Sequence, residues 1–222
     1  MMKGSAVKTF DDWCKHIFDR ACSQPAWYRT EEGDWEPAKA QSADYLANAF
    51  EGAKGVFEPY SDNQLKQGLN YLVDNGCSGY MYSLIDKEVP WPARKRGIQS
   101  IYGLFEQCFA SRCSPRLSSI DEPGRNLLNG ICYMWWDVFP YHGHPTQVEW
   151  KDTDEQILAV MEKALGIAHD ACRESVLHGL GHWHVSYPKR VESAIDSFLF
   201  ENPGLRPELN QYALSARAGK VN

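Results

Sequence analysis

Apolar residues along this chain recur at three- and four-residue spacings, and almost nowhere in strict alternation. Phe10, Trp13, Cys14, Ile17, Phe18 and Ala21 form one such stripe and predict a helix over 8–22. The stretch 23–36 reads as a loop, and Pro37 suits the first turn of a second helix carrying Ala43, Leu46, Ala47 and Phe50. That helix ends near Gly52 or Gly55. Ser61 and Gln64 have the spacing of a capping box ahead of Leu65, Leu69, Leu72 and Val73. Asn75-Gly76 closes that helix, and a short one is expected over 79–85. Pro90 and Pro92 introduce a long helix with Ile98, Ile101, Tyr102, Phe105, Cys108 and Phe109 on its stripe.

The second half continues in the same way. Residues 113–123 read as a loop, and 124–139 as a helix through Leu127, Leu128, Ile131, Cys132, Trp135, Trp136 and Phe139. An irregular segment, 140–151, follows. Thr153 and Gln156 offer a cap for the next helix, whose stripe is Ile157, Met161, Ala164 and Ala168. Helices are then expected through Cys172–His184, after Pro188, and after Pro207 as far as Ala218. Strand patterns are nearly absent, which makes the fold class all-α. Short connections favour a single helical domain, 1–222, with a small N-terminal lobe over 1–56 as the alternative division.

Two segments echo each other, 86–109 and 184–203. Each sets proline and basic residues ahead of an apolar helix stripe. Together with ESVLHGLGHW at 174–183, the stretch 174–200 resembles a HEAT-like helical pair. The resemblance covers about a third of the chain, and the spacing of the echoes departs from a regular repeat of about 40–47 residues. It implies an irregular HEAT-like α-helical repeat stack, or an orthogonal helix bundle. Such stacks mostly bind other proteins through an open surface. By fold-level analogy alone, small acidic proteins of this build include immunity proteins that neutralise toxins.

Composition narrows the partners. Hydrophobic residues make up 43% of the 222 residues and aromatics 13%, enough for a large core. The formal net charge of −6 weighs against nucleic-acid binding and suits a basic protein partner. No window approaches the ~18 apolar residues of a membrane span. No leader is apparent, and seven cysteines without a CxxC pair fit reduced thiols in a cytoplasm. No cofactor is called for by a phosphate loop or nucleophile elbow.

The candidate chemistry lies in the segment CRESVLHGLGHWHVSYP, 172–188, which holds His178, His182 and His184. On a helix, Glu174, His178 and His182 fall on one side, and two imidazoles at i and i+4 can reach one metal. Those three are the metal-ligand set of the alternative reading, with His142 or His144 completing it from a loop. The zincin pattern is excluded, because Gly179 follows His178 where a glutamate base is required. The reading adopted here is a packed seam, with Gly179 and Gly181 admitting a close neighbour, no catalytic residues, and a protein more like a scaffold than an enzyme. Its partner-contact surface is then the aromatic loop region: Trp136, Asp137, Tyr141, His142, His144, Glu149, Trp150 and Asp152. Self-association through that surface is a third reading. Trp135 is assigned to the core.

Overall fold

The computed structural model describes residues 9–22, 24–30 and 35–221. Among these, every regular element is helical and there is no β-strand. The α-helices are α1 (Phe10–Phe18), α2 (Lys39–Glu51), α3 (Ala53–Phe57), α4 (Asp62–Val73), α5 (Trp91–Gly103), α6 (Ala110–Arg112), α7 (Asn129–Val138), α8 (Lys151–Leu165), α9 (Asp170–Trp183), α10 (Pro188–Glu201) and α11 (Pro207–Arg217). A wider π-turn, Leu104–Phe109, joins α5 to α6. The principal packed pairs are α2 on α5, α7 on α9, α5 on α8 and α9 on α11. The result is an irregular helical bundle, and the all-α expectation holds.

Local signals explain most boundaries. Ser61 accepts from the Gln64 N–H while Gln64 reaches back to the Ser61 N–H, the reciprocal pair that starts α4. Thr9 and Asp12 form an equivalent box at the head of α1. Prolines lie in the first turns of α5, α10 and α11, where a missing N–H costs nothing.

Several boundaries differ from the pattern: α1 stops at Phe18, short of Ala21, and α8 stops at Leu165, short of Ala168. Thr153 is buried inside α8 rather than capping it, because a 3₁₀ turn at Val148–Trp150 runs straight into the helix at Lys151. Helix α7 starts at Asn129, not near 124. The Asn129 side chain is occupied instead in tying down the preceding loop, bonding Ser114 and Arg116 carbonyls at 2.8 and 3.0 Å.

One continuous apolar cluster runs from Trp13 on α1 to Ala216 on α11. Its N-terminal part is aromatic: Trp13 packs on Tyr45 and Tyr80, and Phe18 on Phe57. Phe50 and Phe109 both pack edge-on with Trp135, so α2, α7 and the π-turn share one core.

The close approach of α7 to α9 positions the site. A Cβ on Gly179 would lie only 2.5 Å from the Trp136 Cβ. Glycine therefore lets Trp136 rest on the α9 backbone, as the close-packing expectation for Gly179 required. Trp136 is 1% exposed and stacks on Phe105, so its assignment as a partner contact is corrected. Gly181 likewise admits Val221, whose methyl would stand 2.6 Å from an added Cβ.

Candidate metal centre

Since Trp136 sits on Gly179, its neighbour Asp137 falls beside the two histidines that flank Gly179 on α9. His178 and His182 are one turn apart on that helix. Their Nε2 atoms lie 3.2 Å from each other, and the His182 Nε2 is 3.3 Å from Asp137 Oδ1. Donor atoms of Asp137, His178 and His182 all fall within 4.8 Å of one another, the only such group of three among the described residues. His178 is buried, while the Asp137 and His182 side chains are about one-third exposed, at 34% and 32%. The cluster thus has a closed side in the protein and an open side toward solvent.

The His178 imidazole is held from behind. His178 Nδ1 is 2.7 Å from the Tyr212 hydroxyl, and Tyr212 is 2.9 Å from the Tyr133 hydroxyl. The Tyr133 ring also packs on His178, with centroids 4.5 Å apart. With Nδ1–H donating to Tyr212, the His178 Nε2 lone pair points into the cluster. This is the outer-shell arrangement that fixes a metal-binding tautomer. Burial, with help from His182, lowers the His178 pKa to about 4, so its ring is neutral at neutral pH. Burial and then His182 also lower the pKa of His142. Two imidazole nitrogens and one carboxylate oxygen form an N₂O donor set that suits a divalent transition metal.

This cluster contradicts the expectation that the protein is more likely not an enzyme. It also corrects the proposed ligand set. Glu174 is on the predicted helix line, yet its carboxylate turns the other way and is fully buried. It accepts from the Ser118 N–H at 2.7 Å, and from the Ser119 N–H and hydroxyl at 3.0 and 2.6 Å. Burial raises its pKa against the lowering effect of those bonds. Asp137 supplies the carboxylate instead. Sequence reasoning placed Asp137 on a contact surface, since nothing in the periodicity of α9 points to a residue 41 positions earlier on another helix. The available signal was its adjacency to Trp136 together with the bare face at Gly179.

The loop residues separate into different roles. The His142 ring stands over His182, with centroids 6.4 Å apart. His144 does not join it. Its ring packs on Tyr141 and Trp150, and its N–H donates to Asp154 Oδ2 at 2.9 Å. Buried Asp154 also accepts from the Tyr141 and Tyr187 hydroxyls, so it pins the loop that carries His142. Tyr141 is 4% exposed, and its assignment as a partner contact is corrected for that reason. Trp150 is half-buried under the Lys87 ammonium, Glu149 pairs with Lys87 at 3.6 Å, and Asp152 is exposed. His184 lies apart, 3.3 Å from Glu192. Among the described residues, no helix is long and apolar enough to cross a membrane.

Compared with protein-family models, with curated proteins and with solved structures, the chain matches none.

Proposed function

We propose that the protein is a metal-dependent enzyme centred on Asp137, His178 and His182. The observation that carries this reading is the convergence of two imidazole nitrogens and a carboxylate oxygen from α7 and α9 within 4.8 Å. Three protein donors with remaining positions left for water or substrate is the arrangement of catalytic rather than structural sites. The half-open solvent side at Asp137 and His182 is where those positions would lie.

Hydrolysis by a metal-activated water is the reaction class we favour. His142 supports it: a lowered pKa keeps this imidazole neutral and able to take a proton, and its ring stands over His182. Tyr212 and Tyr133 would hold His178 in the ligating tautomer. Occlusion of a toxin by an aromatic loop is the weaker reading, because Trp136 and Tyr141 are core residues and Asp137 belongs to the cluster.

The test is hydrolysis of a panel of nitrophenyl carboxylate and phosphate esters by protein reconstituted with zinc, manganese or ferrous iron. The expected result is turnover that chelation abolishes and that Asp137→Ala and His182→Ala both lack. Turnover surviving chelation or either substitution would refute the assignment.

A further inference from the structure

A second constellation lies at the opposite end of the α7–α9 contact. Cys172 is the third residue of α9, and Cys132 belongs to α7. The Cys132 Sγ is 3.7 Å from the carbonyl oxygen of Ala171, the residue before Cys172, and its thiol neighbours those of Cys113 and Cys172. Ser175 donates its hydroxyl to the Cys132 carbonyl, which fastens the two helices at this level. His169, the residue preceding α9, places Nε2 3.2 Å from the Cys113 carbonyl oxygen. A carbonyl only accepts, so Nε2 carries the proton and Nδ1 holds the lone pair. That Nδ1 is buried and makes no hydrogen bond, and the His169 imidazole neighbours the Cys172 thiol.

We propose that Cys172 and Cys132 form a redox-active dithiol that a hydroperoxide converts to a disulfide joining α9 to α7, with His169 as the base that activates Cys172. The first turn of a helix favours a thiolate, and so does an adjacent imidazole. The neighbouring Cys132 thiol, then the His169 imidazole, hold the Cys172 thiol below the usual range, whereas burial keeps Cys132 well above it. Cys172 is therefore the attacking sulfur and Cys132 the resolving one. The contrast with other core thiols is clear: burial pushes Cys14 and Cys108 up to about 12, as expected of inert packing residues. Cys132 and Cys172 are both fully buried, which selects an oxidant little larger than water.

The chemistry balances in two steps. The Cys172 thiolate attacks one peroxide oxygen, the O–O bond breaks, and the departing hydroxide takes the proton held by His169 to leave as water. The Cys132 sulfur then attacks the Cys172 sulfenic acid, forming the S–S bond. The sulfenic hydroxyl leaves with the Cys132 proton as a second water. Two thiols are oxidised and one hydroperoxide is reduced.

The test treats folded full-length protein with hydrogen peroxide, blocks the remaining thiols with iodoacetamide, and maps the peptides by mass. The expected product has peptides containing Cys132 and Cys172 joined, with the loss of two hydrogens. Cys132→Ala should stop at a Cys172 sulfenic acid trapped by dimedone, and Cys172→Ala should give neither product. Cys132 and Cys172 left as free thiols, or joined to other cysteines instead, would overturn the proposal. The wild-type map decides this even if a variant fails to fold.

Discussion

Removing one oxygen atom from α11 tests how the proposed metal centre would be held. Tyr212→Phe deletes the hydroxyl 2.7 Å from His178 Nδ1 and leaves the ring in its packed place. Two consequences follow from the geometry. His178 is 1% exposed, so its Nδ1 loses a partner that water cannot readily replace, and a buried unsatisfied donor costs about 1–3 kcal/mol. The ring is also released from the tautomer that aims Nε2 at Asp137 and His182. Loss of such an outer-shell partner lowers metal affinity by about 10–100-fold, equivalent to about 1.4–2.7 kcal/mol. Zinc affinity, measured by competition with a chromogenic chelator, should fall by that factor, with stoichiometry unchanged. His178→Ala should abolish binding altogether. Zinc affinity equal to wild type in a folded Tyr212→Phe protein would refute the reasoning, since the Tyr212–His178 bond would then do nothing for the site.

Glu174→Ala strips the carboxylate from the two backbone N–H groups of Ser118 and Ser119 and should lower stability in urea by about 3 kcal/mol without changing metal content. Loss of metal at unchanged stability would return Glu174 to the ligand set. Gly179→Val places a Cβ 2.5 Å from that of Trp136, so α7 must shift and carry Asp137 with it. Overpacking costs about 1–3 kcal/mol, and metal affinity should fall together with the melting temperature; a variant melting like wild type would contradict the close packing. In metal-free protein, the His178 pKa of about 4 lies below its unfolded value near 6.5, so the unfolded chain takes up the proton first. The stabilisation is whole above pH ~6.5 and is lost as pH falls toward about 4, amounting to about 3 kcal/mol at most. Denaturant midpoints across that window should drop, and in His178→Gln the slope should be shallower; equal slopes would count against a neutral buried His178.

Periodicity made the helices legible because each buries one stripe, and prolines and the Ser61 box marked several starts. It misjudged the start of α8, because a 3₁₀ turn can extend a helix past a good capping residue. The histidine pair was visible as an i, i+4 line on α9, and Gly179 was correctly suspected of admitting a neighbour. What the sequence does not display is which neighbour arrives. Trp136 filled the bare face, and this brought Asp137 to the histidines. Glu174 shares their helix line, but the loop N–H groups of Ser118 and Ser119 compete for its carboxylate and win. Aromatic residues in an irregular segment resembled an interface. The buried carboxylate of Asp154 instead draws Tyr141 and Tyr187 inward, and one residue on a neighbouring helix decided their exposure. The thiol cluster was likewise unreadable, since Cys132, Cys172 and His169 meet only when α7 packs on α9.

The central claim rests on a metal held by Asp137, His178 and His182. The most direct measurement is the metal content of untagged protein by mass spectrometry after dialysis, beside Asp137→Ala and a His178→Ala/His182→Ala double variant. The account predicts about one equivalent of a divalent transition metal in the wild type and none in either variant. A folded wild type that retains no metal after reconstitution, or an Asp137→Ala protein that keeps its full complement, would contradict it.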